Sequence, residues 1–227
     1  MLQNKCSNRH MRLRILMNGK FKRTMVWLML LIFLLTLSIT ITINSTWLYA
    51  LNVYYGDFLP LVNLSAKAML QNYHALLAYL NYPWVTTLKM PDFTDSPSAL
   101  VHFSNVKQLF MINYIMLIGT SYPTIKWLNW LKKHEQQWRL ISIMQGTLTV
   151  LGFILIMMFL NFNQFFIAFH KVLFRNNDWE FYPQQDPIIN ALPESFFAQA
   201  FLLWLGCFSV FCLGLLIYGK LYFKSKK

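Results

Sequence analysis

The sequence predicts an all-α membrane protein, with four transmembrane helices and two structured extracytoplasmic segments. Three observations carry that expectation. Apolar residues fill 56% of the 227 positions and charged residues only 12%, about half the charged share of a soluble domain. Four windows are long enough to cross a bilayer as helices, which takes about 20 mostly apolar residues. They run roughly over 24–43, 109–125, 140–159 and 199–221. The charges, finally, are sorted between alternate connections. Few residues are left over for a separate soluble domain, so 1–227 reads as a single polytopic membrane domain.

The net charge of +12 is distributed as a topology signal. Seven basic residues precede the first span (Lys5, Arg9, Arg12, Arg14, Lys20, Lys22, Arg23), and Lys126, Lys132, Lys133 and Arg139 flank the short connection between spans two and three. Lys220, Lys224, Lys226 and Lys227 follow the core of the last span. Seven of the eight acids lie in the other two connections, Glu135 being the exception. Lys and Arg accumulate on the cytoplasmic side. Both termini and the 126–139 loop are therefore expected inside, with 45–106 and 163–197 outside. The basic residues meet membrane phospholipid headgroups, and a nucleic-acid partner is not expected.

The first span has the basic leader of a signal peptide, but its apolar stretch of about 20 residues exceeds the usual 7–15, and no clear small-x-small cleavage site follows. It reads as a retained anchor. The second span is near the short limit, and Tyr122-Pro123 leaves its inner end undefined. Cys6 lies on the expected cytoplasmic side, and Cys207 and Cys212 lie inside the fourth span. None has a disulfide or metal-ligand spacing, so cysteine chemistry is not expected; no metal and no cofactor are expected either.

Between spans one and two, Met69, Leu70, Tyr73, Leu76, Leu77 and Leu80 recur at helical spacing. Two compatible readings follow: a helix on the membrane surface with Tyr79, Tyr82 and Trp84 at headgroup depth, or a cap packed over the bundle. Ser96-Pro97 is a helix start, a hydroxyl cap followed by proline at the first helical position. His102 then falls one to two turns into that helix. After span three, Phe162, Phe165, Phe166, Phe169, Val172 and Leu173 extend the same helix past the membrane surface, with His170 on one side of it. Asn176-Asn177-Asp178-Trp179, Tyr182-Pro183, Asp186-Pro187 and Leu192-Pro193-Glu194 are turn and breaker signals. A long irregular run rich in bulky apolar residues points to function rather than disorder.

His102 and His170 thus stand beside the ends of two spans. If both ends face one side, two proton-handling groups meet at one water–lipid boundary, a place for chemistry on a lipid-linked substrate. A histidine at a membrane boundary also has a purely structural reading.

Three blocks resemble the lipoprotein intramolecular transacylase family, small four-span membrane proteins of Gram-positive bacteria. The first is Asn72-Tyr73, Leu77 and Tyr79-Leu80, ahead of Met90-Pro91-Asp92-Phe93. The second is His102-Phe103 with Val106-Lys107 and Leu109-Phe110. The third runs from Phe169-His170 through Trp179 to Asp186-Pro187 and Leu192-Pro193-Glu194-Ser195-Phe196-Phe197. With the four spans, the resemblance covers nearly the whole chain. Two positions depart from it: Asn105 stands where the family tends to have Asp, and Tyr182 where it tends to have an acid before proline.

The resemblance implies an acyltransferase of the bacterial cell membrane, with its site facing outside. Its partners would be diacylated bacterial lipoproteins, whose N-terminal cysteine carries a diacylglyceryl thioether. The sn-2 acyl chain would move to the α-amine of the same cysteine, giving an N-acyl lyso-form lipoprotein. Attack closes a ring of about eight atoms, and holding such ends together supplies much of the rate. No enzyme nucleophile is needed, in agreement with the absence of a Gly-x-Ser-x-Gly elbow from the outside segments. Proton transfer is needed, and histidine titrates nearest the working pH. His102 and His170 are the expected catalytic residues: His102, early in its helix, as neutral base, and His170, late in its helix, as protonated acid. Asn105, Lys107 and Arg175 are candidate donors to the oxyanion or anchors at the headgroups. Asp186 and Glu194 would orient a histidine or the substrate amine, or cap turns. Tyr73 and Trp179, in the first and third blocks, join the candidate substrate-orienting set. A non-catalytic membrane subunit or chaperone is the alternative class. A membrane metalloprotease ranks lower, because no His-Glu-x-x-His is present.

Overall fold

Apolar helices dominate the chain because a bilayer leaves backbone polar groups no partner but one another. The computed structural model describes residues 2–56 and 62–224, with side chains over 22–56 and 62–222. Positions 57–61 of the first outside segment, Met1, the last three residues and the Cys6 side chain lie outside that description. In chain order the elements are α1 (Leu2–Ile43), α2 (Thr46–Tyr55), α3 (Ala66–Asn81), α4 (Pro97–Lys133), a 3₁₀ turn (Gln137–Arg139), α5 (Leu140–Leu160), α6 (Phe162–Leu173), α7 (Ile188–Ala191) and α8 (Glu194–Lys224).

Among the described residues, three helices are long and apolar enough to cross a membrane, over Lys22–Ile43, Gln137–Leu160 and Glu194–Tyr222. The expected second span, 109–125, is not among them. Its helix is long enough: 37 residues rise about 55 Å. Its mean hydropathy is lowered by Asn113, Thr120 and Thr124, all of which are buried. Asn113 Nδ2 donates to Thr40 Oγ1 of α1 at 2.8 Å, and Thr120 Oγ1 to the Met116 carbonyl at 2.6 Å. The outward side carries Ile112, Ile115, Ile118, Tyr122 and Ile125, all exposed. The polar residues face protein and the apolar ones face out, a segregation that an average over the window conceals. α4 also runs through Pro123 without a break. It ends instead at Glu135, whose φ of 57° is left-handed while Gln136 N–H donates back to the Leu131 carbonyl at 2.9 Å, a Schellman-type stop.

Two cores result. The bundle core gathers Leu30 and Leu34 of α1, Leu131 of α4, Met144, Leu151 and Met158 of α5, and Leu205, Phe208, Cys212 and Leu216 of α8. α8 comes close to the α4–α5 turn at Gly219. A Cβ there would lie 2.9 Å from the Gln137 carbonyl oxygen and 3.1 Å from Ile141 Cγ1. Overpacking of this kind costs about 1–3 kcal/mol, so Gly219→Ala should lower the melting temperature of the purified protein. Gly206 has nothing within 4 Å of its added Cβ, so Gly206→Ala should cost nothing. Equal melting temperatures for the two variants would refute the close approach.

The second core forms a cap at the bundle end where α1 and α5 finish and α4 and α8 begin. Tyr49 of α2 stacks on Tyr73 of α3 at 3.8 Å between ring centroids, and Phe196 of α8 meets both edge-on. Met69, Leu76, Met90, Phe93, Ala99 and Ile188 fill the space around them. α3 is the helix the apolar spacing predicts, with Ser65 capping through Ala68 N–H. Buried polar groups tie the cap together: Asn72 exchanges two hydrogen bonds with Asp92, Asn52 pairs with Gln199, and the Tyr49 hydroxyl donates to the Ala191 carbonyl. Such groups must be paired when buried.

Candidate active site

α4 starts as its sequence predicts. Ser96 Oγ accepts from Ala99 N–H at 3.1 Å, and Pro97 occupies the first turn. That start fixes His102 on the buried side of the helix, beside Phe103. The second histidine arrives by a different route from the one expected. The helix of span three does not run on to His170. α5 stops at Leu160, and Asn161, with φ −162° and ψ 96°, is extended. Its side chain then caps a new helix by accepting from Gln164 N–H at 3.0 Å. Asparagine favours a cap over a helix interior because its short amide competes for local backbone groups. The freed α6 lays Phe165 and Phe169 against Phe201 of α8, and Phe166 against Phe197. His170, one turn beyond Phe166, is buried.

The rings of His102 and His170 lie 6.0 Å apart, although the residues come from different segments. Aromatic rings enclose both. His102 meets Phe174 at 5.0 Å and Phe181 at 5.4 Å, both edge-on. His170 is flanked by Phe166 at 4.1 Å and Trp179 at 4.9 Å, and Phe174 reaches it as well, at 5.8 Å. Burial drives the His102 imidazole down to about 4, with the nearby His170 adding to the shift. Burial also lowers His170, but its hydrogen bond to the Phe166 carbonyl works in the opposite direction. That bond, 2.8 Å long, assigns the tautomer: facing a carbonyl, Nδ1 must carry the hydrogen. Nε2 of His170 is left as the basic nitrogen. His102 Nδ1 is buried and has no hydrogen-bond partner among the described residues.

The other sequence-predicted residues divide into near and far. Trp179 lies against His170, and its indole N–H donates to the Asn176 carbonyl at 3.1 Å. Asn105 is half-buried one turn after His102, and its side chain makes no hydrogen bond among the described residues. Lys107 is engaged elsewhere: its ammonium donates to the Tyr82 carbonyl at 3.0 Å and to the Val85 carbonyl, and lies 4.4 Å from the Tyr79 ring centre. Tyr73 belongs to the cap core, where burial raises its phenol above the usual range. Arg175 and Glu194 are exposed, Glu194 in the first turn of α8. Asp186 is 1% exposed and touches neither histidine; its carboxylate accepts from Ser96 N–H at 2.9 Å and Ser96 Oγ–H at 3.0 Å. Phe174 and Phe181, which enclose His102, are not among the residues the sequence singles out as site residues. Their signal in the sequence is their place within the third block, in the irregular run between Phe169 and Asp186.

An all-α membrane protein with two buried imidazoles in an aromatic cage is the class that fold and site define together. The comparisons make it specific. The chain belongs to the family of the lipoprotein intramolecular transacylase Lit, whose family model matches residues 24–197. It is thus a membrane enzyme, a transacylase acting on lipoproteins. The crystal structure of the membrane-integral lipoprotein intramolecular transacylase Lit from Bacillus cereus has the same fold, with a TM-score of 0.85 and 24% identity over 92% of this chain and 98% of that one. Two variants of that protein, with one histidine replaced by arginine or by alanine, match with TM-scores of 0.77 at 24% and 23% identity. The arginine variant's match covers 95% of this chain and 97% of that one, and the alanine variant's covers 94% and 98%. No curated protein sequence shows significant similarity.

Proposed function

We propose that the enzyme moves the sn-2 acyl chain of a diacylglyceryl-lipoprotein to the α-amine of that lipoprotein's own N-terminal cysteine. The observation that carries this reading is the histidine pair, 6.0 Å apart in its aromatic cage. The amine nitrogen attacks the ester carbonyl, a C–N bond forms and the ester C–O bond breaks. Nitrogen loses one proton and the glyceryl oxygen gains one, so the reaction balances with neither water nor cofactor. His102, kept neutral by burial, is the base toward the amine. His170 is the acid toward the glyceryl oxygen: its Nδ1–H bond to the Phe166 carbonyl favours the imidazolium and opposes the lowering by burial, and Nε2 is the nitrogen that carries the transferred proton. Trp179, against His170, lines the space for the glyceryl group. The dry cage serves the chemistry twice, strengthening the electrostatics of proton transfer and denying water the ester. Mass spectrometry of lipoprotein N-termini, from cells that otherwise make diacylated lipoproteins, tests the reading. Expression should convert them to the N-acyl lyso form; unchanged N-termini would refute it.

The proposal includes a topology. α4 is the second span and completes the four, its polar stripe turned to α1 and its isoleucines to lipid. The termini and the 126–139 loop face the cytoplasm, and 45–106 and 163–197 form the outer cap over the site, in the bacterial cell membrane. Anionic phospholipid meets the basic ends. Cysteines placed beside Asp92 and Asp178, in a background lacking the native three, should label with an impermeant thiol reagent in intact cells. Protection of both in well-inserted protein would invert the topology.

A further inference from the structure

The two histidines are carried by segments that the chain does not join directly, so something must hold those segments in register. His102 is on α4. The cage over it comes from the strap between α6 and α7, where Phe174, Trp179 and Phe181 supply the rings. The strap has little regular structure of its own between 174 and 187. At its far end, Asp186 accepts both hydrogens that Ser96 offers, the backbone N–H at 2.9 Å and the hydroxyl at 3.0 Å, one on each carboxylate oxygen. The same Ser96 oxygen caps α4 through Ala99 N–H. A neighbouring carboxyl supports the arrangement: Asp95 has a buried Oδ1 without a partner, and burial together with Asp186 raises it to about 6.

From these contacts we propose that Asp186 and Ser96 form a clasp that fixes the strap against the start of α4 and thereby sets the reactive geometry of the histidine pair. Asp186 is a positioning residue. It is almost fully buried and both its oxygens are taken, so it is not available to the substrate amine. It acts over a short rigid lever. His102 follows Ser96 by about 9 Å of helix, and Phe181, which touches His102, lies five residues before Asp186. A small shift at the clasp therefore becomes a displacement of the cage relative to the imidazole. Misplacing reacting groups by about 1 Å costs about 100-fold in rate.

The test uses the full-length purified protein and a synthetic diacylglyceryl-cysteine lipopeptide, with kcat and KM measured separately. Asp186→Ala and Ser96→Ala should each lower kcat by about 10- to 100-fold with KM little changed. Ser96→Thr, which keeps the hydroxyl, should retain activity. The double variant Ser96→Ala/Asp186→Ala should be no worse than Asp186→Ala alone, because loss of the carboxylate already removes both bonds of the clasp. A merely structural role would lower the yield of folded protein and leave its kcat intact. Unchanged kcat in folded single variants, or losses that multiply in the double variant, would overturn the clasp. If Asp186→Ala fails to fold, the comparison of Ser96→Gly with Ser96→Thr decides. Glycine keeps the N–H bond and is nearly as good a cap, so equal kcat for the two would overturn the proposal. These outcomes are separable from the reaction assignment: a wrong acyl donor would show as no N-acyl product from the unmodified enzyme.

Discussion

Replacing His102 or His170 by alanine should abolish or nearly abolish the N-acyl lyso product while the protein still inserts. General acid–base catalysis contributes roughly 100- to 10,000-fold, and each imidazole carries one half of the proton traffic in the proposed reaction. Their placement makes substitution by water inefficient, since Phe174, Phe181, Phe166 and Trp179 close around the pair. His74 supplies the control. It is exposed on the outer side of α3, away from the cap core, so His74→Ala should cost little. Asn105, one turn after His102, has no hydrogen bond to lose among the described residues, so Asn105→Asp should preserve or raise activity if that position orients His102. Full product formation by both histidine variants would end the catalytic assignment. Loss in every variant, His74→Ala included, would indicate misfolding.

Acid should destabilise the protein through the same pair, and His102→Phe should blunt the effect. An unfolded imidazole takes up its proton near 6.5, whereas His102 in the fold takes it up near 4. Between those values the unfolded state binds more protons than the folded one, so stability rises with pH and is lost as pH falls from 6.5 toward 4. For His102 the full loss is on the order of 3 kcal/mol. His170, lowered by its own burial, adds in the same direction. Phenylalanine fills a similar volume among Phe103, Phe174 and Phe181 and cannot titrate. Thermal unfolding in detergent at pH 5 and pH 7 measures the effect. The unmodified protein should lose more melting temperature at pH 5 than His102→Phe does, and equal losses would show that His102 is not held neutral by its surroundings.

Local chemistry made much of the architecture legible. Apolar runs declare three of the spans, the Ser96-Pro97 pair declares the start of α4, and the spacing of Met69, Tyr73, Leu76 and Leu80 declares α3, because each of these depends on neighbours within a few residues. Family motifs pointed to His102 and His170 in the same way. Elsewhere a partner distant in sequence made the decision. The window 109–125 has a lower mean hydropathy than the other three, and its Asn113, Thr120 and Thr124 are buried in the protein, which a mean does not record. The helix after span three was expected to continue because its apolar period continues, yet Asn161 breaks it and turns α6 onto Phe197 and Phe201.

By itself, then, the sequence determined the helical membrane class and the start of α4, both set by composition and short-range spacing, and its family motifs singled out the two histidines. The tertiary structure decided that the imidazoles lie 6.0 Å apart, that Phe174 and Phe181 pack edge-on against His102, and that Asp186 grips Ser96. Those contacts join residues as many as 90 positions apart. They are set by how α4, α6 and the strap pack against one another, and helical periodicity carries no record of that packing.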